Sequence, residues 1–220
     1  MKITIVAATG RIGRLALERA LAAGHDVTAV VRDPSRLPAG VASVRADLSD
    51  ADPEALAPAF AGADGVLSCL GPRSRQEIGV VEPGTRAVLE GMRSAGARRL
   101  VIVSAAPVST TPSPGRPNPP RADPGESWFV ANLVMPIVTA VFRDNYVDLA
   151  RAEDLLRDSG LDWTSVRPPR LLDRPFTGRY RTAVDHSAGG ATVSRADVAD
   201  CLLQALQRPE WIGHAVGISA

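Results

Sequence analysis

The chain has 220 residues, a formal net charge of +1, 45% hydrophobic residues and a mean hydropathy of +0.02. It suits one well-buried domain, and its balanced charge argues against nucleic acid or another polyanion as partner. No uninterrupted apolar stretch reaches membrane-spanning length, no leader-like segment precedes the first strand, Cys69 and Cys201 stand far apart, and three histidines form no metal-ligand pattern; a reduced, cytoplasmic protein without metal is the expectation.

The chain opens with a predicted strand over Ile3–Ala7, a turn over Ala8–Gly13, a helix from Arg14 to Ala23 stopped at Gly24, and a second strand over Val27–Val31 that ends at Arg32-Asp33. A short third strand over Val41–Val44 precedes Asp47-Leu48, and a helix over Pro53–Phe60 has proline in its first turn. Gly65–Leu70 is an apolar run of strand length ending at Gly71. A helix over Glu82–Ala95 stops at Gly96, and Arg99–Ser104 is the next buried strand. A helix over Asp144–Ser159, a strand over Asp162–Arg167 stopped by Pro168-Pro169, a short strand over Ala191–Val193, a helix capped by Ser194 and running to Gln207, and a strand over Ala215–Ile218 complete the pattern. Strands alternating with helices predict an α/β fold, a Rossmann-type doubly wound parallel sheet forming a single domain over 1–220.

The first 33 residues carry the clearest chemistry. A glycine turn that follows a strand and opens a helix presents backbone N–H groups to a pyrophosphate, and the end of the second strand meets the adenosine ribose. An acidic residue there favours NAD, whereas arginine accommodates the 2′-phosphate of NADP. This chain has Arg32, with Arg36 one turn on and Arg11 in the glycine turn. Three guanidiniums converging on one phosphate predict NADP (NADPH) as cofactor; Asp33 is the one residue there suited to a free 2′-hydroxyl. Gly10, Arg32, Asp47, Gly71, Ser104 and Pro168 all fall at or just after predicted strand ends. In a parallel sheet those ends form one edge, so the six can meet one extended ligand.

Residues 107–124 interrupt the alternation: seven of the eighteen are proline. The segment cannot form a regular helix or ladder, and it begins just beyond Ser104, where ligands of such sheets bind. The readings are a lid over the substrate or a disordered insert, spanning about 107–127. The apolar stretch 128–142 that follows is a hydrophobic wall, a core helix or a dimer contact.

Ala8-Thr9-Gly10-x-x-Gly13, Val31-Arg32-Asp33, Asp47-Leu48, Cys69-Leu70-Gly71 and Val103-Ser104-Ala105 follow the pattern of atypical short-chain dehydrogenase/reductases. Within that group the chain most resembles the biliverdin-IXβ reductase/flavin reductase branch, related to NmrA-like NAD(P)-binding proteins. Val31-Arg32-Asp33-Pro34-Ser35-Arg36, Leu70-Gly71-Pro72-Arg73, Asp158-Ser159-Gly160-Leu161, Arg167-Pro168-Pro169-Arg170 and Pro175-Phe176-Thr177-Gly178 extend the likeness along nearly the whole chain. Residues 107–143 are the departure. The resemblance implies that Ala8, Thr9, Gly10, Arg11 and Ile12 hold the pyrophosphate, Arg32 and Arg36 the 2′-phosphate, and Asp47 and Leu48 the adenine. It further implies that Cys69, Leu70, Gly71 and Arg73 line the nicotinamide ribose, and that Ser104, Ala105, Pro168, Pro169 and Arg170 form the nicotinamide end. Ala7 stands at the first glycine position of the motif.

A typical member of the group pairs serine with Tyr-x-x-x-Lys, whose spacing sets tyrosine and lysine on one helix face. Here Ser104 and Tyr146 are present, but position 150 is alanine, and Lys2 is the single lysine among 25 basic residues. The catalytic candidates are Ser104, Tyr146 and Arg170, with Tyr146 favoured as a packing or substrate-wall residue. Arg73 and Arg170 are candidates to attract acidic groups on the acceptor. Asp185-His186 is read as an isolated acid–imidazole pair, and Glu153-Asp154 as a solvated or capping face. The expected activity is NADPH-dependent hydride transfer to a conjugated small molecule such as a flavin or biliverdin, with flavin as substrate and not as resident cofactor. A non-catalytic NADP sensor of the NmrA type and a reductase or epimerase of a biosynthetic intermediate are the alternatives. The expected partner is a small molecule, with the protein a monomer or homodimer.

Overall fold

The computed structural model describes residues 1–126, 133 and 135–220. Ten strands and six helices are named in chain order: β1 (Lys2–Val6), α1 (Arg11–Ala22), β2 (Asp26–Val31), β3 (Ala42–Arg45), α2 (Pro53–Phe60), β4 (Gly65–Ser68), α3 (Val81–Ala95), β5 (Arg99–Val103), α4 (Met135–Val141), α5 (Arg143–Arg157), β6 (Asp162–Arg167), β7 (Arg170–Leu172), β8 (Arg181–Val184), β9 (Thr192–Ser194), α6 (Arg195–Leu206) and β10 (His214–Ser219). The main sheet has the order β3-β2-β1-β4-β5-β6-β10-β8. All its pairings are parallel except the last, where β8 runs antiparallel to β10. A parallel β7–β9 pair forms a second, two-stranded sheet. The expected doubly wound architecture is therefore present in one domain.

The core lies in two layers, because a parallel sheet buries both faces. α1 and α6 cover one face with Leu17, Val198 and Leu202 against Ile3, Ile5 and Val216. α2, α3 and α5 cover the other with Leu56, Phe60, Met92 and Leu156 against Val6, Val66 and Leu100. Local chemistry sets several boundaries. Asp52 caps α2 by accepting from the Glu54 N–H at 3.0 Å, with Pro53 in the first turn. Gly96 ends α3 at φ +73°.

The strand order reverses between β1 and β4, each starting a crossover to its own side. At such a switch point the connections diverge and leave a crevice at the carboxyl ends of the strands. Among the described residues no helix is long and apolar enough to cross a membrane.

The proline-rich insert packs onto the domain. It forms a 3-10 turn over Ala106–Thr110 and an isolated bridge between Ser113 and Arg116. Asp154 on α5 accepts from Ser113 Oγ and the Gly115 N–H, both at 2.9 Å. Asp123 accepts from the Ser187 N–H at 2.7 Å. Of the apolar stretch expected over 128–142, residues 128–132 and 134 lie outside the described residues. Ile137, Val141 and Phe142 in its remainder are exposed.

Candidate functional site

The turn after β1 is built by backbone contacts. Ala7 takes φ +57° and its carbonyl accepts from the Gly10 N–H at 2.9 Å. A Cβ on Gly13 would lie 2.3 Å from the same carbonyl oxygen, so only glycine lets α1 start this close to β1. α1 begins at Arg11, three residues earlier than the apolar pattern suggested. Gly10 supplies no side-chain cap and the first turn carries no carboxylate, so the N–H donors of this turn have no side-chain acceptor. The helix is thus left open to an external anion.

Beside this turn a cavity of about 400 Å³ lies between the ends of β1, β2 and β4 and the start of α3. Of the residues expected at the cofactor, Thr9, Arg32, Asp47, Leu48, Leu70, Gly71 and Arg73 line it. Ala8, Ile12 and Cys69 instead turn their side chains into the core. Burial pushes the Cys69 thiol up to about 12, leaving it inert. Asp47 Oδ1 accepts from the Ser49 N–H at 3.1 Å and Oγ at 2.8 Å, which holds its carboxyl below the usual range.

The basic cluster differs from the expected trio. Arg11 pairs instead with Asp173, which also holds Arg195 at 2.7 Å. Arg73 takes its place, donating from Nη2 to Thr9 Oγ1 at 3.2 Å. Partial burial, then the Arg32 and Arg36 cations, pull the Arg73 pKa down, so the three guanidiniums feel one another. Asp33 is engaged locally: its Oδ1 accepts from Ser35 Oγ at 2.7 Å and the Ser35 N–H at 3.1 Å, and these bonds hold its carboxyl low. It is a turn cap, not a ready acceptor for a ribose hydroxyl. Sequence reasoning missed Glu77, whose Oε1 lies 2.9 Å from Arg32 Nη1.

Ser104, Ala105, Pro168 and Pro169 lie beyond the cavity's lining, at the adjoining ends of β5 and β6. The Ser104 N–H donates to Val166 O at 2.8 Å and the Ala106 N–H to Pro168 O at 2.9 Å, stitching the two strand ends together. The Ser104 hydroxyl is buried without a well-formed hydrogen bond, although it lies close enough to Glu153 to help keep that carboxylate ionised.

Glu153 corrects the expectation of a solvated face. It is buried on α5, and Oε1 accepts from Ser165 Oγ at 2.8 Å and Arg167 Nε at 2.9 Å. Burial pushes its pKa up, but Arg167 and the hydrogen bonds outweigh that and hold the carboxyl below the ordinary range. Its neighbour Asp154 is spent on the insert. No periodicity flags Glu153, because its partners lie on another element.

Tyr146 is half-buried with Val81, Val108 and Leu149, its ring centroid 6.2 Å from that of Phe142. Burial raises its pKa, and position 150 is a buried alanine, so no cation on that face lowers it. Arg170 is exposed at the start of β7. The Asp185-His186 pair is not formed: Asp185 Oδ2 meets His214 Nδ1 at 2.7 Å, while His186 Nδ1 contacts Ser187 O.

Comparison with known proteins identifies the family and the fold. Residues 7–209 match the model of a family described as NAD(P)H-binding. The sugar epimerase YhfK of Bacillus subtilis, itself uncharacterized, is 28% identical, with 100% of this chain and 94% of that protein covered. A wide-type short-chain dehydrogenase/reductase from Veillonella parvula, solved with NADP, superposes at TM-score 0.77 with 18% identity, covering 100% of this chain and 94% of that one. A Streptococcus pneumoniae protein provisionally described as an NADH-flavin reductase superposes at TM-score 0.74 with 24% identity, covering 99% and 98%. The two structures share this fold.

Proposed function

From the premise that this chain belongs to the NAD(P)H-binding family, we propose that it is an NADPH-dependent oxidoreductase of a conjugated small-molecule acceptor, such as a flavin or a linear tetrapyrrole. The observation that carries the cofactor choice is that Arg32, at the end of β2, and Arg73, after β4, line one cavity, with Arg36 near enough for its charge to be felt by Arg73. Guanidiniums suit a phosphate monoester, whereas the one acidic residue after β2, Asp33, is occupied by Ser35.

The residues present fit a dinucleotide. The backbone of Thr9, Gly10, Arg11 and Ile12 would hold the pyrophosphate, at a helix start that Gly13 lets pack directly against the end of β1. Asp47 and Leu48 would border the adenine. Leu70 and Gly71 would lie along the nicotinamide ribose, with Ser104, Ala105, Pro168 and Pro169 at the nicotinamide end. When bound, the cofactor supplies a hydride. Ser104 holds a buried hydroxyl beside Glu153 without a well-formed hydrogen bond and would orient a carbonyl or carboxamide there. Tyr146 lacks the lysine that would make it an acid, so the acceptor must be one that takes its proton from solvent. An extended conjugated acceptor meets that requirement.

Ala150 also favours a second reading, a dinucleotide sensor that binds without turnover. The deciding experiment follows NADPH and NADH oxidation at 340 nm with FMN, riboflavin and biliverdin, beside binding titrations of both cofactors. NADPH turnover with one of these acceptors is the expected result. Tight NADPH binding without turnover on any of them, or on a nucleotide sugar added as a further substrate, selects the sensor; NADPH oxidation with the nucleotide sugar alone selects a dedicated reductase, and its conversion to an epimer without net NADPH oxidation selects an epimerase.

A further inference from the structure

Arg32 and Arg73 reach the cavity from opposite walls, one at the end of β2 and the other after β4. Glu77 stands between them. Its Oε1 accepts from Arg32 Nη1 at 2.9 Å and its Oε2 from the Arg73 N–H at 2.8 Å. The Glu77 side chain is 29% exposed and its residue lines the cavity. Thus one carboxylate links two arginines of the cavity wall, bonded to the guanidinium best placed to meet a phosphorylated ribose. A guanidinium has a limited set of donors in a rigid fork. Donors held by Glu77 are not free for phosphate, and a carboxylate a few ångströms from a phosphate dianion repels it.

We propose that Glu77 is the residue that sets the affinity of this cluster for a 2′-phosphate, acting as an internal anion that a phosphorylated ribose must displace from Arg32. The inference rests on the reading of Arg32 as the phosphate partner. It makes the 2′-phosphate subsite self-competing: the cluster is partly charge-compensated when empty, and its NADPH affinity is held below what the arginines would otherwise supply. Glu77 itself remains ionised at neutral pH, since the Arg73 N–H and Arg32 hold its carboxyl below the usual range. The competition therefore persists across physiological pH.

The test uses the full chain and compares wild type, Glu77→Gln, Arg32→Ala and the double variant in titrations with NADPH, NADH, adenosine 2′,5′-bisphosphate and 5′-AMP. Glutamine preserves an oxygen acceptor for the Arg73 N–H while removing the charge. Glu77→Gln is expected to tighten NADPH and adenosine 2′,5′-bisphosphate about threefold to tenfold, and to change NADH and 5′-AMP by less than about twofold. The gain should vanish when Arg32 is alanine, which assigns it to that pair. Unchanged or weaker binding of the 2′-phosphorylated ligands by Glu77→Gln, with Arg32→Ala still selectively weakening them, overturns the inference alone. Weaker NADH binding by Glu77→Gln also overturns it, by making the carboxylate a ribose-hydroxyl acceptor. Equal wild-type affinity for NADPH and NADH, with no selective effect of Arg32→Ala, overturns the underlying phosphate reading as well.

Discussion

Glu153 on α5 and Arg167 at the end of β6 form a buried ion pair directly beneath Ser104. Arg167 donates from Nε to Glu153 Oε1 at 2.9 Å and from Nη2 to Oε2, while Ser165 donates to the same carboxylate. The pair ties α5 to the strand end that carries Pro168, so it holds in place the elements around the proposed nicotinamide end.

Truncating Glu153 leaves a buried guanidinium uncompensated. Glu153→Ala is expected to lower stability by about 3–5 kcal/mol, and Glu153→Gln by less because it keeps an acceptor. Chemical denaturation of both variants checks the order. A loss below about 1 kcal/mol for alanine would show that water reaches Arg167.

Acid should destabilise the protein through the same group. The Glu153 pKa in the folded chain lies below its ordinary 4.5, and that of Asp197 below 3.8, because backbone N–H groups of Thr177 and Gly178 and the Ser194 hydroxyl outweigh its burial. A depressed folded pKa contributes stability that is present above the unfolded value and is lost as pH falls through the folded one. The melting temperature should therefore hold down to about pH 5 and fall below about pH 4.5, with the fall reduced in Glu153→Gln. A melting temperature unchanged to pH 3 would contradict this.

Arg32→Glu should weaken NADPH roughly 10–100-fold while changing NADH by less than about threefold. Equal effects on both cofactors in a fluorescence titration would remove the 2′-phosphate from Arg32.

Tyr146→Phe should change kcat by less than about threefold, because a half-buried phenol with a raised pKa and no adjacent cation makes a poor proton donor. Ser104→Ala should lower kcat/KM by about tenfold, by deleting the one buried hydroxyl at the end of β5. Loss of turnover in Tyr146→Phe would make the phenol the acid after all.

Ala7 adopts a left-handed conformation that costs a residue with a Cβ about 1–2 kcal/mol. Ala7→Gly should raise the melting temperature by roughly 2–4 °C, offset in part by the greater freedom of glycine in the unfolded chain. A lower melting temperature would mean that this entropy term dominates.

The parallel strands of the doubly wound sheet and the helices between them were legible in the chain because their signals are local. Pro53 marks the start of α2, Pro168-Pro169 stops β6, and continuous apolar runs identify strands covered on both faces. The glycine turn was legible for the same reason: a strand, a tight turn and a helix start lie within a dozen residues. The short strands β7 and β8 were not, since three or four residues of mixed character become strands only when β9 and β10 arrive to pair with them. Side-chain partnerships were decided entirely by tertiary structure. Arg32 meets Glu77 and Arg73 meets Thr9 because the switch point brings the ends of β1, β2 and β4 together, while the opening of α1 carries Arg11 across to Asp173. Glu153 reads locally as one more charged helix position and becomes the anchor of a buried network only when β6 slides beneath it. Periodicity encodes which face of an element is buried; which charge waits on the neighbouring element depends on the order of the strands in the sheet.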